Sequence, residues 1–356
     1  MRTDHADVVI VGLGPAGASA AAEAARRGCG VVAIDRKREP GRPVQCAEFV
    51  PAMIGTETDD LAASVLQPID AMATFVEDDA PDVKEHFPGY MLDRAAFDAA
   101  LVSAAERAGT RCAFGTGVRS VSPDGRVELA DGRVIIANVV VGADGPRSVV
   151  GRAIGQINRH LVETRQITVP LRHRHEATDI FLSADIPGGY GWLFPKGDTA
   201  NLGAGVDPPH KMRLKNIVAG LHASLVADDR VGAEILEMTG GQIPVGGMLR
   251  PWGTLGSTLV LLAGDAAGLA NPVTGAGIAA AVHSGSLAGE AAASHVFGIR
   301  TAGADYEEEI ESVFKAALGR AVRRRAELAA IADTGALPDK AALRRGWIAY
   351  SQYWAA

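Results

Sequence analysis

The stretch Asp7-Val8-Val9-Ile10-Val11-Gly12-Leu13-Gly14-Pro15-Ala16-Gly17 decides the fold. From Asp7 to Gly12 it is apolar and rich in β-branched residues, the composition of a strand buried on both faces. Pro15 to Arg27 is rich in alanine and stops at Gly28, which reads as a helix with a glycine stop. Val31 to Asp35 reads as a second buried strand, so the chain opens on one βαβ unit. Between the first strand and the helix lies G-x-G-x-x-G. Gly12 permits the tight turn, Gly14 lets a pyrophosphate approach the backbone, and Gly17 lets helix and sheet pack closely. The helix start offers free N–H groups and a positive partial charge to that pyrophosphate. Asp35, about 20 residues on, is placed to accept from a ribose diol, with Arg36 beside it. The motif predicts a dinucleotide site but does not separate FAD from NAD.

Two later segments narrow the choice. Val141-Gly-Ala-Asp144-Gly145-Pro-Arg147-Ser148 follows an apolar strand. Leu259 to Gly264 reads as another strand, and it leads into Asp265 and then Pro272, Gly275, Ala276, Gly277 and Ile278. An aspartate at a strand end can bind a ribityl hydroxyl. A glycine-rich stretch entering a helix can turn N–H groups toward a flavin's pyrimidine edge, where negative charge develops on reduction. Either segment alone is an ordinary turn. The three in this order point to FAD.

Composition bounds the rest. The chain has 356 residues, 47% hydrophobic and 22% charged, with net charge −7. That is enough chain for two lobes and a sizeable core, and the acidic balance excludes a dedicated nucleic-acid binder. Cys29, Cys46 and Cys112 are an odd number with the spacing of neither a disulfide framework nor a zinc site, which predicts a reducing, cytoplasmic setting and no metal. No apolar run is long enough to span a membrane, and the first seven residues do not form a signal peptide.

Along the chain, Leu92–Ala108 is expected as a helix capped by Asp93, and 118–129 as a hairpin around Pro123-Asp124-Gly125. From Leu161 to Val206 apolar and polar residues alternate, which predicts an antiparallel sheet with one exposed face. Lys211–Met238, Gly277–Phe297 and Tyr306–Leu328 are expected to be helical. The expected fold is α/β: a Rossmann-like FAD-binding domain (1–70, 90–155 and 255–300), an inserted, mostly antiparallel substrate domain (71–89 and 156–254), and a C-terminal helical segment (301–356).

The three glycine and aspartate segments resemble the fingerprint of FAD-dependent oxidoreductases with the para-hydroxybenzoate hydroxylase fold. Within that group three further stretches are similar to the geranylgeranyl reductases: Gly41-Arg-Pro-Val-Gln45-Cys46-Ala47-Glu48; Tyr190-Gly-Trp192-Leu-Phe194-Pro-Lys196-Gly197 with Asn201-Leu-Gly203-Ala-Gly205; and Gly240-Gly241-Gln-Ile243-Pro244. Members of that family reduce isolated double bonds of polyprenyl chains with hydride from reduced FAD. The resemblance implies FAD contacts at Ala16, Asp35, Cys46, Ala47, Glu48, Arg94, Val118, Asp265, Gly277 and Ile278. Gly12, Gly14, Pro15, Gly17, Arg36, Asp144, Gly264, Gly275 and Ala276 complete the expected cofactor set. Cys46 is the catalytic candidate, on the flavin's active face. The chain is shorter than many archaeal members, so the C-terminal cover of the lipid cavity is expected to be reduced or absent.

Each sharp reading has a plain counterpart. Tyr190, Trp192 and Phe194 share one strand face, as a wall for an apolar substrate or as sheet core. Cys46 is a reactive thiol helped by nearby Arg42, or a small buried residue. His173 and His175 lack an evident third ligand and read as a solvated strand, and His283 reads as a core histidine. Arg323-Arg324-Arg325 at the exit of the last helix is a solvated helix end or a contact with the inner membrane face. The partners expected are an isoprenoid or other apolar substrate and an external electron donor, NAD(P)H or ferredoxin-like. Two alternatives stand beside the reductase: a flavin monooxygenase acting on an aromatic, and a lipid- or quinone-binding flavoprotein without alkene chemistry.

Overall fold

The computed structural model describes residues 3–52 and 62–355. Residues 53–61, assigned above to the FAD-binding half, lie outside the described residues, as do the first two and the last. The opening strand, Thr3–Val11, lies at the centre of a sheet whose parallel strands run in the order Arg111–Phe114, Val31–Asp35, Thr3–Val11, Val134–Gly142 and Thr258–Leu262. Val8, Val9 and Ile10 are fully buried, because the parallel strands at the sheet's centre are covered on both faces. The hairpin Val118–Val121 and Arg126–Leu129 joins antiparallel to Val134–Gly142. The strands of this sheet thus come from both ends of the chain.

Helix Pro15–Arg26 packs against helix Ile278–Val296. Gly285 and Gly289 make the approach possible: a Cβ at either would stand 2.2 and 2.4 Å from the carbonyl oxygens of Ala16 and Ala20. Helix Arg94–Arg107 is capped by Asp93, whose carboxylate accepts from the Ala96 N–H at 3.0 Å.

The second sheet runs Glu237–Thr239, Leu161–Pro170, Thr199–Val206, Gly191–Lys196, Ala177–Leu182, Ala71–Val76 and Asp82–Lys84, with Gln242–Pro244 also beside Leu161–Pro170. It is antiparallel except where Ala177–Leu182 meets Ala71–Val76. It does not have the expected exposed face. Leu193, Leu202, Ile167 and Val169 are buried against helix Leu214–Ala227 on one side, while Trp192, Phe194 and Ile180 face a cavity on the other. The alternation is between two covered faces.

The helix expected over 211–238 begins with a 3-10 turn, Pro208–Arg213, and ends at Ala227. Asp229 takes φ +55°, a conformation that a helix cannot continue through, and the chain goes on to the edge strand Glu237–Thr239. A small sheet of Phe49–Pro51, Gly89–Leu92 and Val65–Ile69 holds the Cys46 loop.

The late helix is longer than expected, Ala302–Asp333, so the three arginines sit inside it rather than at its exit. Arg324 is buried, and its guanidinium donates to the carbonyls of Tyr353 at 3.0 Å and Gln352 at 3.2 Å; Arg325 pairs with Asp207. Those two side chains are committed within the protein, and Arg323 is the exposed member of the three. Short helices Lys340–Arg345 and Ser351–Trp354 follow. Among the described residues no helix is long and apolar enough to cross a membrane.

Candidate active site

A cavity of about 410 Å³ joins the two sheets. At one end it is lined by Gly14, Pro15 and Ala16 from the first turn and by Asp265 and Gly275–Ile278 from the last glycine-rich stretch. Gly14 is the N-cap of helix Pro15–Arg26 and Gly277 that of helix Ile278–Val296, and neither helix start is capped by a side chain. Two helix N-termini therefore bring unpaired N–H groups to one space. A Cβ at Gly14 would meet nothing within 4 Å, so the approach to that backbone is open. Gly12 and Gly17 lie beneath it for packing. A Cβ at Gly12, where φ is +95°, would stand 2.3 Å from the Ala143 oxygen, and one at Gly17 1.8 Å from the Gly12 oxygen.

Asp265 is held from behind by Asn158, whose amide donates to the Asp265 carbonyl at 2.9 Å. Among the described residues nothing donates to its carboxylate, and burial pushes that carboxyl up to about 6, against the pull of the Arg94 cation. A half-buried carboxylate lining the cavity without a donor fits a ligand that brings one. Gly264, at φ +59°, donates its N–H to the Ser284 hydroxyl at 3.0 Å and packs on Ala16, out of the cavity.

Asp35 lies beside the glycine turn, also off the cavity wall. Its two oxygens accept from the N–H groups of Leu13 at 2.7 Å and Lys37 at 2.8 Å. The Asp35 carbonyl accepts the Thr116 N–H at 3.2 Å, and Arg36 packs near Gly117, so Asp35, Arg36 and the approach to Val118 are neighbours. Asp144 is turned elsewhere. It accepts the Ser148 hydroxyl at 2.5 Å and the Val149 N–H at 2.6 Å, anchoring the short helix Val149–Ala153.

Over the cavity's middle lies the Cys46 loop, where Cys46, Ala47, Glu48 and Arg94 all line the wall. The cation facing Cys46 is Arg94; Arg42 is exposed. Burial alone would lower the Arg94 pKa, but its ion pair with Asp98, at 3.0 Å, and the Cys46 sulfur beside it raise it, so its guanidinium stays charged. The Cys46 sulfur accepts the Glu48 N–H at 3.2 Å. Glu48, at φ +71°, is buried and accepts from Lys196 at 2.6 Å, the Asn201 amide at 2.8 Å and the Arg94 N–H at 3.2 Å. Lys196 and Asn201 were quoted from the sequence only as motif letters. Their work is to pin this loop to the antiparallel sheet.

The far end is apolar. Tyr190, Trp192 and Phe194 line it, although the strand begins at Gly191. Burial raises the Tyr190 pKa, and its hydroxyl donates to the Thr274 carbonyl at 2.5 Å, tying the aromatic wall to the glycine-rich stretch. Gln166 was not anticipated: it donates to the Cys46 carbonyl at 3.1 Å and accepts from the Trp192 indole at 3.1 Å. Also unforeseen are Trp347 and Ile348, which bring the C-terminal segment into the wall. A C-terminal contribution to the wall is thus present rather than absent. His173 and His175 pair with Asp229 at 3.2 Å and Asp179 at 2.9 Å, and among the described residues no cluster suits a metal. His283 packs edge-on to Phe314.

Comparison with known proteins agrees with this geometry. The model of an FAD binding domain matches residues 5–174, and that of the geranylgeranyl reductase catalytic domain matches residues 161–243. A digeranylgeranylglycerophospholipid reductase of Methanopyrus kandleri is 35% identical over 346 residues, 88% of this chain and 85% of its own. One from Methanocaldococcus jannaschii is 31% identical over 315 residues, 82% and 78%. The crystal structure of a geranylgeranyl bacteriochlorophyll reductase-like protein from Thermoplasma acidophilum superposes with a TM-score of 0.82 at 25% identity, covering 92% of this chain and 89% of that one. PqsL of Pseudomonas aeruginosa, a probable FAD-dependent monooxygenase, shares the fold alone, with a TM-score of 0.72 at 20% identity over 96% and 98%. At this identity and coverage, the chain belongs to the geranylgeranyl reductase family of FAD-dependent oxidoreductases, and FAD is its cofactor.

Proposed function

We propose that this enzyme reduces C=C bonds of a geranylgeranyl-type isoprenoid chain. The observation that carries the reading is the continuity of one cavity, from two uncapped helix starts and Asp265 to the aromatic wall of Tyr190, Trp192 and Phe194. FAD, when bound and reduced, supplies the hydride for one alkene carbon. In this reading Gly14 and the start of helix Pro15–Arg26 receive the pyrophosphate, Asp35 and Val118 the adenosine end, Asp265 a ribityl hydroxyl, and Gly275–Ile278 the flavin ring. Residues 1–70, 90–155 and 255–300 then form the cofactor domain, and 71–89 with 156–254 the substrate domain.

An isolated alkene is a poor hydride acceptor, so a proton must reach its second carbon as the hydride arrives. We assign that transfer to Cys46, in the loop held by Glu48 and Gln166. Tyr190 is bound to Thr274 and serves as a tether. The aromatic wall positions the chain and excludes water. In this reading electrons enter from an external donor, NAD(P)H or ferredoxin-like.

The test is anaerobic incubation of dithionite-reduced, FAD-loaded enzyme with geranylgeranyl lipids, followed by mass analysis. Each reduced double bond adds two hydrogens. In a parallel aerobic incubation with NAD(P)H, oxygen uptake stoichiometric with a hydroxylated product would establish a monooxygenase instead, and chain binding with no mass gain in either incubation a binding protein. Cys46→Ala is expected to slow single-turnover reduction about 10²-fold, the usual contribution of a positioned acid, with unchanged flavin absorbance. An unchanged rate would remove Cys46 from the chemistry.

A further inference from the structure

We propose, resting on the reductase reading, that Trp347 is a specificity-determining residue whose indole sets how long an isoprenoid chain can lie in the cavity. Trp347 is 3% exposed and lines the same cavity as Asp265 and Gly277. Its ring lies 4.8 Å from that of Tyr190, whose hydroxyl is fixed to the glycine-rich stretch at Thr274. It belongs to one apolar cluster with Met72, Val76, Ile180 and Leu182, all of the antiparallel sheet, and not to the core cluster of the parallel sheet. It therefore belongs to the apolar part of the cavity wall.

Three features make it a gauge. First, the space is scarce. About 410 Å³ is near the low end of the ~300–1,000 Å³ of drug-sized pockets, and it must take a flavin ring as well as a chain. Secondly, the Trp347 Nε1–H is buried with no acceptor among the described residues. Buried indoles usually find one, so Trp347 is held by its shape, and replacing it breaks no hydrogen bond. Thirdly, its segment is braced from outside. Lys340 pairs with Asp78 and Asp79, Arg344 with Asp79 at 2.7 Å, and the Tyr350 hydroxyl donates to Asp82 at 2.6 Å. A bulky side chain on a braced segment sets a boundary that the substrate cannot easily push back.

The experiment uses the full FAD-loaded chain, with wild type, Trp347→Ala and Trp347→Phe. Each is given geranyl, farnesyl and geranylgeranyl diphosphates under anaerobic reduction, and kcat/KM is compared across chain length. Binding of the corresponding fully saturated chains is read separately by flavin fluorescence. Trp347→Ala is expected to shift the preference toward the longer chain by on the order of tenfold or more, the scale of a few methylenes in an apolar pocket, with Trp347→Phe between. The flavin spectrum stays as in wild type. An unchanged length preference, in turnover and in binding, overturns the proposal; if Trp347→Ala does not fold, Trp347→Phe decides on the same criterion. Wild type that reduces none of the chains overturns the reductase reading, and the saturated-chain binding profile then decides Trp347 by itself: a shift toward longer chains supports a gauge, and an identical profile removes it.

Discussion

A Cβ at Gly12 would stand 2.3 Å from the Ala143 oxygen at φ +95°, whereas one at Gly14 would meet nothing. Two glycines of one motif thus answer to different demands. Gly12→Ala is expected to destabilise the fold by about 1–3 kcal/mol, from backbone strain and the clash. Gly14→Ala should change stability by less than about 0.5 kcal/mol yet weaken FAD binding at least tenfold; urea denaturation and flavin fluorescence titration separate the two. Asp265 carries a pH dependence. Its carboxyl is raised from 3.8 to about 6 by burial. In the flavin-free protein this group favours folding below pH 3.8, and the contribution is lost as pH rises through about 6. A ribityl hydroxyl donating to the ionised form reverses the preference, so FAD affinity should rise with pH through about 6. Asp265→Asn should flatten that profile and cost about 1.5–3 kcal/mol of binding at neutral pH, measured by titration on either side of pH 6.

At the scale of elements, the cofactor turn depends on a helix pair. Gly285 presses on the carbonyl oxygen of Ala16, in the first turn of helix Pro15–Arg26. Gly285→Ala should lower stability by about 1–3 kcal/mol through overpacking. It should also weaken FAD binding, because the strain is relieved by moving the helix start that lines the cavity. Helical circular dichroism should be retained; full FAD affinity in this variant would contradict the coupling. Strand Gly191–Lys196 shows a second dependence. Its even positions, Trp192 and Phe194, face the cavity, and Leu193 faces helix Leu214–Ala227. Period-two alternation sorts the side chains to two faces, but only the packed helix makes the second face dry.

At the scale of the molecule, the segment 340–355 is tied to the edge of the antiparallel sheet. Lys340 and Arg344 reach acidic residues at 78–82, and Arg324 gathers the carbonyls of Tyr353 and Gln352. The outer pairs are partly exposed, so salt should weaken them. Replacing both Lys340 and Arg344 by Met should speed hydrogen exchange in residues 340–355 while leaving 8–11 in the central strand unchanged. Raised salt should have the same effect on wild type. Exchange at 340–355 that ignores both changes would mean that apolar packing of Leu343 and Trp347 suffices to hold the segment.

How much was legible depended on how local the signal is. The parallel sheet and its glycine turn could be read because each is written in contiguous residues: a β-branched run makes a doubly buried strand, and glycine spacing makes the turn. Gly14, Asp265 and Gly277, legible from such patterns, line one cavity with Ala16, Cys46 and Arg94, which only the family resemblance implied. Asp144 was named by the same logic, yet its carboxylate was claimed by Ser148 and Val149 next to it, a competition that spacing does not record. Glu48 meets Lys196 across 148 positions, Arg94 rather than Arg42 faces Cys46, and Trp347 joins a wall built largely of residues more than 150 positions earlier. No periodicity encodes such meetings. The sequence alone set the βαβ unit and the flavin-type turns, because backbone sterics and local burial act over a few residues. Which side chains share the cavity was decided by tertiary structure, because burial of apolar surface is non-directional and long-range partners are chosen only when the sheets and helices close on one another.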